Sequence, residues 1–308
     1  MNNILATFAI GLALLASACG NLEKDITVEL PPFERQLNVE CYVAPTGLQQ
    51  PLPFGIPWDL IPASAPPFYY LILTETVSYY DEFDLPIVDD AFVTITYQGV
   101  TDTLEYVPFV TAGTDTIKFY IGFRTIEGND SNAPIDLYVK DKIGREVRAR
   151  TFFPEVVPID TISWEFNSRD EAFVQTDFFD PIDQDNYYRA VIFKRDDVLL
   201  RNEPNGPIVD TISQDRLDVA FQFTDDFIED DGKITVGTNF NYVEGDTVTS
   251  FIYQIDEAYY DFLETVDAAE QANFSPFAQP TRIQSNIEGG MGIFTAYNYD
   301  RQTVVIKR

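Results

Sequence analysis

The stretch Ile135–Phe152, IDLYVKDKIGREVRARTF, decides the fold. Ile135 to Lys140 and Glu146 to Phe152 alternate apolar and polar side chains with a period of two, the mark of half-buried strands. Asp141-Lys142-Ile143-Gly144 between them supplies turn residues, so the stretch predicts a β-hairpin. In its second strand, alternation sets Arg148 and Arg150 on the face opposite Val147 and Ala149.

Working outward, the same signature recurs along the chain. Runs rich in Tyr, Phe, Val, Ile and Thr are punctuated by Gly, Pro and Asp, which predicts an all-β protein. On the N-terminal side, strands are predicted over 39–43, 70–76, 91–97, 103–107 and 117–121; with the hairpin they suit an immunoglobulin-like sandwich spanning 35–155. Pro154 and Pro158 then interrupt the pattern, since proline gives no ladder hydrogen bond and restricts the residue before it. A second β domain is expected over 156–308, with strands at 159–166, 172–178, 187–194, 217–223, 233–236, 247–253, 293–298 and 303–307. Two tandem β-sandwich-like domains result. One segment breaks the rule: over 256–271, Tyr259, Phe262, Leu263 and Val266 recur at helical spacing, which predicts a helix.

The N-terminus addresses compartment. Residues 1–18 carry no charged side chain, include an apolar run, and end in small residues before Cys19, the layout of a secretory signal. The apolar run is too short to span a bilayer permanently. Leu15-Ala16-Ser17-Ala18-Cys19 fits a lipobox, in which Cys19 is acylated and becomes the new N-terminus; the alternative is a signal with an incidental cysteine. Two or three acyl chains on one residue give stable anchoring, with 19–34 as the tether. The other cysteine, Cys41, shares a face with Leu37, Val39 and Val43 and reads as a small buried hydrophobe.

Composition narrows function. With 50 acidic against 20 basic side chains the formal charge is −30, which repels nucleic acid and anionic lipid head groups. The chain has no histidine, the commonest general base and metal ligand. It lacks Gly-x-Ser-x-Gly, Ser-x-x-Lys, Cys-x-x-Cys and phosphate-loop motifs, so no catalytic residue is nominated and no cofactor is expected. Two acidic turns, one with Asp183 and Asp185 and one with Asp230 and Asp231, offer oxygen ligands for calcium, but neither has the EF-hand order; they read as solvated turns. Five of the 20 basic residues fall between Lys140 and Arg150. Arg148 and Arg150 thus form either a contact stripe for an acidic partner or a charged guard against edge pairing. The proline-rich segment 51–68 holds Phe54 and Trp58 in a long loop that serves as a binding surface or packs back onto the sandwich.

The run from Gly245 to Asn298 contains Tyr259-Tyr260-Asp261-Phe262, Pro276-Phe277-Ala278-Gln279-Pro280 and Asn286-Ile287-Glu288-Gly289-Gly290-Met291-Gly292-Ile293-Phe294. These motifs resemble the close of the domain-of-unknown-function-4249 family of Bacteroidetes-type outer-membrane surface lipoproteins. Cys19, Val88–Gly99, Leu137–Pro154, Ile159–Phe166 and Phe223–Ile234 agree with it. The resemblance implies a lipid-anchored protein of the outer membrane facing the cell exterior, with a TonB-dependent β-barrel receptor as partner and no catalysis. Contact residues are expected at Phe54, Trp58, Arg148, Arg150, Asn286, Gly289 and Gly290. The alternatives are a structural subunit of a larger assembly and a carboxylate-dependent glycan hydrolase.

Overall fold

The computed structural model describes residues 33–45, 69–78, 86–110, 116–124, 126, 128, 130–181, 185–195, 200–203, 206–209, 216–224, 232–239, 241–273 and 281–308. Within it, Arg35–Arg308 is a compact unit. In chain order the strands are β1 (Leu37–Val43), β2 (Tyr69–Glu75), β3 (Phe92–Tyr97), β4 (Val100–Thr103), β5 (Glu105–Val110), β6 (Thr116–Gly122), β7 (Ile135–Lys140), β8 (Glu146–Thr151), β9 (Ile159–Phe166), β10 (Ala172–Phe179), β11 (Tyr187–Arg195), β12 (Leu200–Glu203), β13 (Gly206–Val209), β14 (Arg216–Thr224), β15 (Lys233–Gly237), β16 (Thr247–Ile255), β17 (Met291–Ala296) and β18 (Asn298–Val305). A helix, α1 (Glu257–Asn273), lies between β16 and β17. The expected all-β architecture with a helix near the C-terminus is what the chain adopts.

Two sheets built mainly from the first half, β17-β1-β2-β6-β5 and β4-β3-β7-β8, enclose one core. Alternation decides what enters it: Leu37, Val39, Cys41 and Val43 point inward from β1, and Ile135, Leu137 and Val139 from β7. Cys41 is a free, buried thiol, as its pattern predicts. The strand expected over 103–107 is two strands in different sheets. Leu104 divides them: its side chain is buried and its N–H donates to the Val93 carbonyl at 2.9 Å. Gln98 and Gly99, both at positive φ, form the two-residue turn between β3 and β4.

The sheets β15-β10-β9 and β14-β11-β16-β18 enclose a second core of Val174, Phe178, Tyr188, Ile192, Ile234 and Ile252, among others. Thr176 donates to Ser250 at 2.8 Å across it, so both buried hydroxyls are bonded. Among the described residues β12 and β13 form a separate two-stranded sheet.

The final strands join the two halves. β17 runs parallel to β1, with Cys41 opposite Phe294, and after Tyr297 the chain continues as β18 antiparallel to β16. Residues 291–296, which the sequence groups with 156–308, therefore sit in a sheet otherwise made of residues 37–122. Period-two alternation says which side chains are buried and nothing about which sheet a strand joins. A third cluster of Tyr253, Tyr259, Ile293, Phe251 and Tyr297 packs α1 against both halves. Asp256 caps that helix, its Oδ1 accepting from the Tyr259 N–H at 2.8 Å. Among the described residues no helix is long and apolar enough to cross a membrane.

Candidate binding site

The β7–β8 hairpin is closed by its own turn. Asp141 Oδ1 accepts the Arg145 N–H at 2.8 Å, and Gly144 takes a positive φ. The Arg145 side chain then ties the turn to the neighbouring sheet: Nε meets Asp141 Oδ2 at 2.6 Å, Nη2 pairs with Glu75 at the end of β2, and Nη1 donates to the Arg35 carbonyl at 3.2 Å. Arg145 hydrogen bonding holds the Glu75 carboxyl below its ordinary value. Burial pushes the Asp141 carboxyl up, but its bonds to Arg145 and Gly144 outweigh this and leave it lowered.

With the turn fixed, register follows. Tyr138 stands opposite Arg148, and Asp136 opposite Arg150. Arg150 grips Asp136 through Nε at 2.6 Å and Nη2 at 3.1 Å, the fork geometry of a guanidinium on a carboxylate. That pairing raises the Arg150 pKa. Arg148 lies over the Tyr138 ring, 4.9 Å from its centroid. Its nearest carboxylate oxygen, on Glu146, is 3.4 Å away and that residue is already held by Lys140 at 2.8 Å. Phe92 of β3, 53% exposed, meets Tyr138 edge-on with centroids 6.5 Å apart. The result is a ridge of exposed Phe92 and Arg148 with half-buried Tyr138.

The segment after α1 forms the other wall. Arg148 N–H donates to the Glu288 carbonyl at 3.0 Å and Glu288 N–H to the Arg148 carbonyl at 2.8 Å, an isolated bridge outside the regular ladder. Between the hairpin and this segment lies an open cavity of about 790 Å³ lined by Asp136, Tyr138, Arg148, Arg150, Asn286 and Glu288, together with Leu137 and Ala149.

Three of the sequence-nominated residues, Arg148, Arg150 and Asn286, thus meet in one place. Gly289 and Gly290 adjoin it for a steric reason: a Cβ on Gly289 would stand 2.5 Å from the Glu146 carbonyl oxygen, and one on Gly290 2.6 Å from that of Leu37. Asn286 is committed internally, donating through Nδ2 to the Phe294 carbonyl at 2.7 Å and accepting the Phe294 N–H at 3.0 Å. Phe54, Trp58 and Cys19 lie outside the described residues, as do Asp183, Asp230 and Asp231; Asp185 is exposed. Among the described residues no group of three potential metal ligands is assembled.

Tyr138, Asp136, Phe92 and Glu288 were not nominated from sequence. Extending hairpin register across the turn would have paired Tyr138 with Arg148 and Asp136 with Arg150. Glu288 had no such signal, because its bridge joins segments 140 positions apart.

The sequence profile of the Domain of unknown function (DUF4249) family matches residues 62–303, well over half of the chain. The chain belongs to the DUF4249 family. No curated protein matches it. In this DUF4249 protein the cavity combines a cation stacked on an aromatic ring with a neutralised Arg–Asp pair, a set suited to holding a polar or acidic partner group.

Proposed function

We propose that this DUF4249 protein is a lipid-anchored outer-membrane surface subunit, tethered through Cys19, that docks on a TonB-dependent β-barrel receptor and captures substrate for it without catalysing a reaction. The signal-like N-terminus and the family resemblance of the closing motifs support the compartment and the partner. In this reading the fold is two tandem β-sandwich domains, the first immunoglobulin-like; the two separate cores support that division.

The observation that carries the docking role is the Phe92–Tyr138–Arg148 ridge. Exposed aromatic and arginine side chains are the residue types that dominate interface energetics. In a chain of net charge −30, Arg148 is 64% exposed and loosely paired, so it presents a cation to an acidic extracellular loop of the barrel.

The test is to extract the native protein in mild detergent and identify the chains that co-purify, comparing wild type with Arg148→Glu and Cys19→Ala. The expected result is a large β-barrel that co-purifies with wild type and not with Arg148→Glu, and a Cys19→Ala protein that is itself lost from the membrane fraction. Retention of the barrel by Arg148→Glu would move the docking surface elsewhere, and purification of wild type alone would end the accessory role.

A further inference from the structure

A second site lies on the face of the β14-β11-β16-β18 sheet turned away from its own core. There Arg189 of β11 stands directly opposite Tyr253 of β16. Arg189 Nη1 donates to the hydroxyl of Tyr259, in the first turn of α1, at 2.9 Å. Tyr42 of β1 meets the Tyr259 ring edge-on with centroids 5.6 Å apart, and Tyr297, at the break between β17 and β18, meets Tyr253 edge-on at 5.6 Å. Arg189 thus belongs to a cluster with four tyrosines drawn from both halves and the helix, bonded directly to Tyr259 and paired in register with Tyr253.

The cluster is unbalanced in one direction. Tyr253 and Tyr297 are 1% and 0% exposed, and neither hydroxyl has a hydrogen-bond partner. Arg189 is only partly exposed, and no carboxylate among the described residues pairs with it, although the chain has 50 acidic side chains. An unsatisfied buried hydroxyl costs free energy, and an enclosed guanidinium with no carboxylate bonded to it costs more. All three groups have protons to donate, so the chemistry that satisfies them together is a negatively charged acceptor. Arg189 is the partly exposed member of the three.

We propose that Arg189, with the hydroxyls of Tyr253 and Tyr297, forms a binding site for a small anionic group, a carboxylate or a phosphate. Glu40 of β1 faces the same tyrosines, its electrostatic influence reaching Tyr42 and Tyr259, and its carboxyl is raised by burial. Its charge opposes an anion, so it limits affinity at this site.

The experiment follows thermal melting of the full chain in detergent micelles with sodium acetate or sodium phosphate, ionic strength held constant with sodium chloride. Wild type is expected to melt at saturably higher temperature with at least one of the two anions, and the larger response identifies carboxylate or phosphate as the preferred group. Arg189→Gln is expected to weaken the apparent affinity at least tenfold, Tyr253→Phe severalfold, and Glu40→Gln to tighten it. Tyr253→Phe removes a single unpartnered hydroxyl and keeps the ring, so it decides the matter if Arg189→Gln does not fold. The proposal is overturned if wild type responds to neither anion, or if Tyr253→Phe binds as tightly as wild type.

Discussion

Gly292 and Val39 stand so close in the β1–β17 ladder that a Cβ built on Gly292 would lie 1.9 Å from the Val39 carbonyl oxygen. The contact is with backbone in the middle of a paired strand, which no rotamer change relieves. Gly292 also takes a φ of +107°, outside the range other residues adopt readily. Gly292→Ala is therefore expected to cost more than about 3 kcal/mol or to abolish folding, measured by urea denaturation. Gly144→Ala, also at positive φ but with nothing within 4 Å of the added Cβ, is expected to cost only about 1–2 kcal/mol.

Arg145 makes the next prediction. Its partner Asp141 is almost wholly buried, so Arg145→Met leaves an uncompensated carboxylate and is expected to cost about 2–4 kcal/mol at neutral pH. Asp141 and Glu75 both have lowered carboxyl pKa values in the fold. Such groups contribute stability above their unfolded values, near pH 4, and lose it as pH falls through the folded ones. The gap between wild type and Arg145→Met should therefore narrow on acidification from about pH 6 towards pH 3. A gap that stays constant would show that the network contributes by packing alone.

Much of this architecture is legible in single strands. β7 and β9 begin and end where alternation places them, and Cys41 faces inward as its neighbours require. What local pattern cannot carry is partnership. Nothing near Met291 announces a parallel pairing with residues 38–43, a separation of some 250 positions, and nothing near Leu104 announces a change of sheet within one residue. The candidate site divides the same way. Arg148 and Arg150 follow from alternation, whereas Asn286 and Glu288 reach them only through the fold. The glycines 289, 290 and 292 stand out in the sequence, yet their reason is close approach to Glu146, Leu37 and Val39.

Asp256 is expected to show the opposite pH behaviour to Asp141. Burial raises its carboxyl above the ordinary value, while Oδ2 accepts from Thr151 at 2.6 Å and Oδ1 caps α1. A raised folded pKa means that the folded chain holds the proton more tightly, so the stability linked to this group is present at low pH and declines as pH rises through the folded value. Asp256→Asn keeps an acceptor for the Tyr259 N–H and cannot ionise. Relative to wild type it should gain stability as pH rises from about 4 to 7, whereas Asp256→Ala should lose about 1 kcal/mol of capping throughout. Parallel stability curves for wild type and Asp256→Asn across that range would refute the linkage.

Asn286 and Arg148 line the same cavity but answer to different forces, and stability measurements separate them. Both polar ends of the Asn286 amide are bonded to the Phe294 backbone, at 2.7 and 3.0 Å, and Phe294 is fully buried beside Ile287 and Val39 in the first core. Asn286→Ala strips both bonds from a strand with no paired strand on that side of the sheet among the described residues, at an expected cost of about 1–3 kcal/mol. Asn286→Asp should cost at least as much, because a carboxylate cannot donate to the Phe294 carbonyl and faces its oxygen instead. Arg148→Ala removes an exposed side chain whose ion pair is long, and stability should change by no more than about 0.5 kcal/mol. Equilibrium unfolding of the three variants decides this: if Arg148→Ala proves as damaging as Asn286→Ala, then Arg148 holds the hairpin to the 286–290 segment and is not free to serve a partner.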